Sequence, residues 1–231
     1  MNSAELFDQY AQNYDVALSK ALRASGESRR YFAEGRVLWL RKRLFEQNET
    51  PRRILDFGCG DGSTTPLLLD SFVAEAAIGT DISPQSVKAA EKLRASERVK
   101  YAPLSLFRPD GQIDLAYCSG VFHHIPPTER DDALALIRAA LRKGGWFGYW
   151  ENNPWNPATR YVMANCAFDC DAITLTPEES RTLLRKNGFE VIRTDYRFIF
   201  PRFLKWLRKT EDFLADVPLG TQYMVLCRTQ G

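Results

Sequence analysis

Two acids and a pair of histidines are set among glycines and short apolar runs in this chain of 231 residues. In ILDFGCGDGST (54–64), Gly58, Gly60 and Gly62 follow an apolar run, and Asp56 precedes the first of them by two residues. A glycine turn between strand and helix lets a ligand approach bare backbone and meet amide N–H groups. The dinucleotide pattern G-x-G-x-x-G/A is not met, because Ser63 stands at its last position and the third glycine comes one residue early. Asp56 also argues against a diphosphate, since like charges repel strongly at short range where water is scarce. A carboxylate there suits an ammonium group instead. Asp81, about 20 residues past the turn, is placed to accept hydrogen bonds from both hydroxyls of a ribose. A glycine cradle, an acid for an amino end and an acid for a ribose describe a nucleoside amino acid such as S-adenosylmethionine.

The two histidines of the chain, His123 and His124, are adjacent. If the chemistry needs an imidazole base, it is one of these, with His124 preferred, because their unperturbed pKa lies near neutrality. The same pair, with Pro126, Pro127 and Thr128, also fits a purely structural role in a turn. The stretch ENNPWNPATRYVMANCAFDCDAITLTP (151–177) is long for a connection and rich in Asn, Pro and aromatics. It offers Glu151, Asn152, Asn153, Trp155, Asn156 and Arg160 as candidates for an acceptor pocket. The alternative is a structured wrap whose Asn side chains bond its own backbone.

The elements that position these residues follow from periodicity. RRILDF (52–57), AAIGTDIS (76–83), VKYAPLS (99–105), IDLAYCSG (113–120) and WFGYWEN (146–152) read as strands, alternating with helices at STTPLLLDSF and PQSVKAAEKLR (84–94). A third helix is expected over 128–145, with Thr128 and Asp131 as a capping box, a stripe of Leu134, Ile137 and Leu141, and Gly144–Gly145 as its stop. A fourth spans 176–188, with Thr176 as N-cap and Pro177 at the first helical position. FEVIRTDYRF and QYMVLCRT close the chain as strands, the latter as an antiparallel edge. Such alternation argues a doubly wound α/β sheet, whose ligands sit beyond the carboxyl ends of the strands.

LDFGCGDG followed by GTDIS, with SGVFHHIP after the fourth strand, resembles the class I S-adenosylmethionine-dependent methyltransferases of small-molecule type, over roughly residues 50 to 230. The resemblance implies a Rossmann-like, seven-stranded mixed sheet with helices on both faces and its last strand antiparallel. It implies that Asp56, Gly58, Cys59 and Gly60 line the methionine end, that Asp81 holds the ribose and that Ile82 packs on the adenine. Many members carry an acid after the third strand for the adenine amino group; here the stretch reads APLSLF, leaving Ser105 or a backbone carbonyl for that contact. FDQYAQNYD resembles a helical lid, in which Tyr14 would touch the cofactor and Tyr10 the acceptor, unless both are core. The domain expectation is therefore a lid over 1–48 and a methyltransferase domain over 49–231, with a substrate-pocket insertion at 151–177.

The function implied is transfer of a methyl group from S-adenosylmethionine, leaving S-adenosylhomocysteine, to an O, N or C atom of a metabolite. The Asn and Trp side chains suit a sugar-like or heterocyclic acceptor. The rivals are a non-catalytic S-adenosylmethionine-binding protein and an NAD-dependent oxidoreductase on a similar fold. No metal is expected, Cys166 and Cys170 lacking a second pair or a nearby histidine. Net charge is +2, with 31 basic and 29 acidic residues interleaved, so nucleic acid is not the expected partner. NPW resembles an amino-methylation motif of nucleic-acid enzymes but lies after the wrong strand. The N-terminus shows no leader pattern and no run reaches membrane-spanning length, so a cytoplasmic monomer or homodimer is expected. FLKWLRKTEDFL (203–214) reads as a core stripe or a subunit contact, with a membrane-surface helix as the lesser reading.

Overall fold

The computed structural model describes residues 25–166, 169 and 171–230. Tyr10, Tyr14 and the rest of the lid stretch before residue 25 lie outside the described residues, as does Cys170. Helix α1 (Arg29–Phe45) is followed by β1 (Arg53–Phe57), α2 (Thr64–Phe72), β2 (Ala76–Asp81), α3 (Pro84–Arg94), β3 (Val99–Pro103) and β4 (Ile113–Ser119). Then come α4 (Arg130–Ala140), β5 (Leu141–Asn152), α5 (Pro157–Ala164), α6 (Pro177–Lys186), β6 (Phe189–Arg197) and β7 (Gln222–Thr229).

The strands form one sheet in the order β3-β2-β1-β4-β5-β7-β6. The first five are parallel, and β7 runs antiparallel to both its neighbours. The chain thus has the Rossmann-like, seven-stranded mixed sheet expected of it. One core layer gathers Leu40, Leu44 and Leu68 from α1 and α2; the other gathers Leu134, Ile137 and Leu184 from α4 and α6. Helices therefore cover both faces of a sheet whose central strands read as continuous apolar runs.

Three expectations need correction. β7 is not an edge: it is inserted between β5 and β6, and its apolar run from Tyr223 to Cys227 is buried throughout. The edge at that end is β6, whose first half alternates between less and more exposed positions. The third predicted helix, α4, ends at Ala140 rather than at the glycines, because Leu141 turns extended and pairs with Ile113. Gly144, at φ +67°, instead lies in the register shift that precedes the Leu115–Trp146 pair. The capping box at Thr128 does not form either; Asp131 accepts from Lys186 and Asn187, tying α4 to α6. By contrast, Thr176 and Glu179 form a complete capping box on α6.

Third, the apolar stripe at 203–214 is not core. Arg202–Thr210 is a 3₁₀ helix with no buried residue, leaving Phe203, Trp206 and Phe213 exposed. It is held by a basic side chain: Arg208 donates to the Phe200 carbonyl, pairs with Glu27 and stacks over Tyr31.

Helix α1 is fixed to the sheet edge through Asp195 of β6, which is fully buried. It accepts from Trp39 Nε1 at 2.9 Å and from Arg43 Nε at 2.8 Å, while Arg193 donates to its other oxygen. Removing one partner of a buried charge pair strands the other. Asp195→Ala is expected to destabilise the chain by roughly 3–5 kcal/mol in denaturant unfolding. A loss within experimental error of zero would show that α1 is held by apolar packing alone.

Candidate functional site

A cavity of about 650 Å³ opens beyond the carboxyl ends of β2, β1, β4 and β5. That volume lies in the range of small-molecule sites, roughly 300–1,000 Å³.

Its first half is built by the turn after β1. Gly58 N and Cys59 N both donate to the Thr80 carbonyl of β2, at 2.8 and 3.0 Å, folding the chain back over the sheet. Gly58 has φ +75°, and a Cβ there would lie 2.3 Å from Val121 Cγ2. Gly60, at φ +54°, faces open space, and its N–H donates to Asp81 Oδ2 at 2.8 Å. The other oxygen of Asp81 accepts from Ser83 N, and Ser83 in turn caps α3. Two backbone donors thus set the orientation of the Asp81 carboxylate at the cavity wall.

Asp56 is 2% exposed and accepts from Thr65 Oγ1 at 2.7 Å. Burial pushes its pKa up to about 7, the Thr65 bond opposing this and the charges of Asp81 and Asp61 adding to it. Asp61 lies at the rim, paired with Arg29 at 2.8 Å and Arg94 at 3.2 Å. There burial would raise the pKa, but Arg29 and the Ser63 bond hold it below the usual carboxylate range. Helix α1 closes this side. Arg36 donates to Tyr117 Oη on β4 and to Gln222 Oε1 on β7, and all three line the cavity.

The second half lies over β4 and β5. Phe122–His124 form a 3₁₀ turn after β4, and the end of β5 brings Glu151 beneath it. Glu151 Oε1 accepts from Phe122 N at 2.8 Å, and Oε2 lies 2.6 Å from His123 Nδ1. Asp169 Oδ1 stands 3.5 Å from His123 Nε2 and 3.4 Å from His124 Nε2. The two imidazole rings are 4.1 Å apart. Burial would lower the His123 pKa, but Glu151 and Asp169 overcome it and raise it to about 10. Glu151 answers in kind: burial would raise it, and the His123 charge brings it down. Burial and the neighbouring His123 lower His124 to about 4, so it is neutral at pH 7 and a weak proton acceptor there.

Among the residues singled out from the sequence, Asp56, Gly58, Cys59, Gly60, Asp81, Ile82, His123, His124 and Asn152 all line this cavity. Ser105 does not: it is exposed, and Leu104 lines the wall beside β3. Asn153 is buried and donates to the carbonyls of Pro218 and Gly220. Asn156 caps α5 and donates to the Leu219 carbonyl. Trp155 and Arg160 are exposed and lie outside the lining. Among the described residues of the stretch, Asn153 and Asn156 are thus satisfied by backbone, and Asn152 and Asp169 reach the cavity.

Asp169, Arg29, Arg36 and Tyr117 were not singled out from the sequence. For Asp169 a signal existed, an acid in the same long connection as Glu151. For Arg36 none did, because its partner Tyr117 lies in a distant strand.

A model of a methyltransferase domain matches residues 55–147. The trans-aconitate 2-methyltransferase of Rhodopseudomonas palustris is 29% identical over 119 residues, 52% of this chain and 46% of that protein. An uncharacterized methyltransferase of Geobacillus kaustophilus is 28% identical over 196 residues, covering 83% and 78% of the two chains. A crystal structure of an S-adenosylmethionine-dependent methyltransferase from Thermotoga maritima shares the fold over the full length of both chains, with a TM-score of 0.68 at 18% identity. The chain thus carries a stretch that matches a methyltransferase domain, on the fold of the S-adenosylmethionine-dependent methyltransferases. It spans less than half the length of the trans-aconitate 2-methyltransferases it matches. Among the described residues, no helix of this chain is long and apolar enough to cross a membrane.

The raised pKa of Asp56 links stability to pH in a defined direction. Between the ordinary carboxylate value, about 3.9, and about 7, the folded chain keeps a proton that the unfolded chain has released. The stability this contributes is complete below the lower value and is lost as pH rises through the upper one. Asp56→Asn, which removes the titration and keeps an acceptor for Thr65, should raise the melting temperature relative to the parent more at pH 8 than at pH 5. Equal differences at both values would contradict a neutral Asp56 in the folded chain.

Proposed function

We propose that this chain transfers a methyl group from S-adenosylmethionine to an oxygen, nitrogen or carbon atom of a small-molecule acceptor. The observation that carries this reading is continuity: one cavity joins the Gly58–Gly60 turn and Asp81 to His124 and Asp169. The residues present fit the cofactor. Gly60 leaves open space at a backbone that a ligand must approach, and Asp81 is oriented for ribose hydroxyls. Asp56 is a buried acid at which an ammonium group would find a counter-charge. Ile82 offers an apolar face for the adenine, with Leu104 beside it in place of Ser105.

When bound, the cofactor supplies a sulfonium methyl already activated for displacement. What remains for the chain is alignment of the acceptor and exclusion of water. The cavity walls over β4 and β5 do both, and Glu129, Asp132 and Asp169 make that half acidic. Acidic walls favour a neutral or cationic acceptor, such as a polyol or an amine, over a polycarboxylate. The Asn and Trp side chains that pointed to a sugar-like or heterocyclic acceptor lie outside the cavity, apart from Asn152.

Calorimetric titration with S-adenosylhomocysteine, which carries the same ammonium and ribose, tests the cofactor assignment. Micromolar binding is expected, weakened at least tenfold in Asp81→Asn, with NADH giving no heat. An ammonium beside Asp56 lowers a pKa that starts near 7, so binding at pH 7 should release protons and its heat should vary with buffer ionisation. Asp56→Asn should abolish that variation. No binding by folded protein would defeat the proposal. Transfer of labelled methyl to fractionated metabolites then identifies the acceptor, and a polyanion would overturn the charge argument.

A further inference from the structure

We infer that His123, His124 and Asp169 form a binding site for one divalent first-row transition metal ion in the acceptor half of the cavity. Its existence rests on side-chain geometry; its role in catalysis rests on the proposed function.

One ligand atom from each of the three side chains lies within 4.8 Å of the other two. Asp169 Oδ1 stands 3.4 and 3.5 Å from the two imidazole Nε2 atoms. A direct N–H···O hydrogen bond is shorter, roughly 2.7–3.2 Å. Ligands held roughly 2.0–2.1 Å from a tetrahedral ion stand about 3.3–3.4 Å from one another. The two separations from Asp169 are therefore those of atoms that share an ion, and the third pair lies within reach of it.

Glu151 supplies an independent observation. It is buried and lies 2.6 Å from Nδ1 of His123, the ring nitrogen facing away from Asp169, and its other oxygen is fixed by Phe122 N. A metal-binding imidazole characteristically gives its second ring N–H to a carboxylate, which fixes the tautomer and strengthens the ligand. Glu151 and His123 have that arrangement, with Nε2 turned toward the cluster, and an ion bound there would displace the second ring proton that His123 carries in the metal-free chain.

The donor set also selects the ion. Two imidazoles and one carboxylate suit Zn²⁺, Co²⁺ or Fe²⁺, whereas Ca²⁺ and Mg²⁺ take oxygen ligands. Three protein ligands leave a further position, as in catalytic rather than structural sites. All three side chains line the cavity, so an acceptor hydroxyl could take that position, where the ion would polarise it and lower its pKa. This departs from the metal-free expectation of the sequence. An adjacent histidine pair and a remote acid carry none of the familiar ligand spacings.

The test uses full-length protein without a histidine tag, so that His123 and His124 are its two imidazoles. Metal-free protein titrated with Co²⁺ should develop the visible absorption of a four- or five-coordinate ion, saturating at one equivalent, without the intense near-ultraviolet band of a cobalt–thiolate bond. Zn²⁺ should displace it. His124→Ala and Asp169→Asn should abolish the spectrum. Glu151→Gln should weaken binding by about 10–100-fold, the usual effect of removing such a supporting carboxylate. Asp169 lies in a connection, which keeps the test decisive if His124→Ala loses its fold. A spectrum no different from aqueous Co²⁺, in protein that binds S-adenosylhomocysteine, would overturn the metal site while leaving the proposed function standing. A spectrum in protein that does not bind S-adenosylhomocysteine would support the site and defeat the proposed function.

Discussion

A carboxylate withdrawn from water at or near the carboxyl end of three parallel strands, fully at Asp56 and Glu151 and partly at Asp81, is the constraint around which this molecule is organised. Asp56 of β1, Asp81 of β2 and Glu151 of β5 sit where strand backbone gives way to loop, and a carboxylate removed from water must be compensated locally. Each is compensated differently. Asp81 takes two backbone N–H groups, from Gly60 and Ser83, and so dictates the path of the glycine turn and the start of α3. Glu151 takes Phe122 N and the His123 ring, and so dictates the 3₁₀ turn after β4. Asp56 takes a hydroxyl from Thr65 and rises in pKa. The three solutions order the charge across the cavity, from a half-protonated acid over β1 to an ion pair over β4 and β5.

This arrangement explains how much of the site was legible in the sequence. Asp56, the glycines and Asp81 lie within one βαβ unit, where chain order and spatial order coincide and short-range spacing carries the geometry. The boundaries of α3 and α6 were equally legible, because Ser83, Pro84, Thr176 and Pro177 settle them locally. The end of α4 was not, since the glycines that would stop a helix lost to the pairing of Leu141 with Ile113, a contact between distant residues. Periodicity likewise could not place β7 between β5 and β6, although its unbroken apolar run was a sign of burial on both faces.

The 151–177 stretch shows why composition misleads about pockets. Asn is abundant there because the backbone needs partners, and Asn153 and Asn156 spend their amides on the carbonyls of 218–220. That consumption holds the connection against the loop before β7. The two that face the cavity have side-chain partners from elsewhere in the chain: Asn152 accepts from Gln222, and Asp169 stands beside the two histidines. In a buried site, then, the polar side chain with a local backbone partner is the weaker functional candidate. The one whose counterpart lies across the cavity is the stronger.

The same logic extends to α1, which has no acid of its own in the site. Arg43 anchors it to Asp195 at the far edge of the sheet, and Arg36, two turns earlier, reaches Tyr117 and Gln222 at the cavity wall. A helix is stiff over two turns, so the edge contact fixes where the Arg36 guanidinium can lie. Arg36 is also one of the charges that holds down the pKa of Asp56. The position of an edge helix is thereby coupled to the protonation of a carboxylate in the centre of the site, through rigid backbone and charge rather than through any chain of direct contacts.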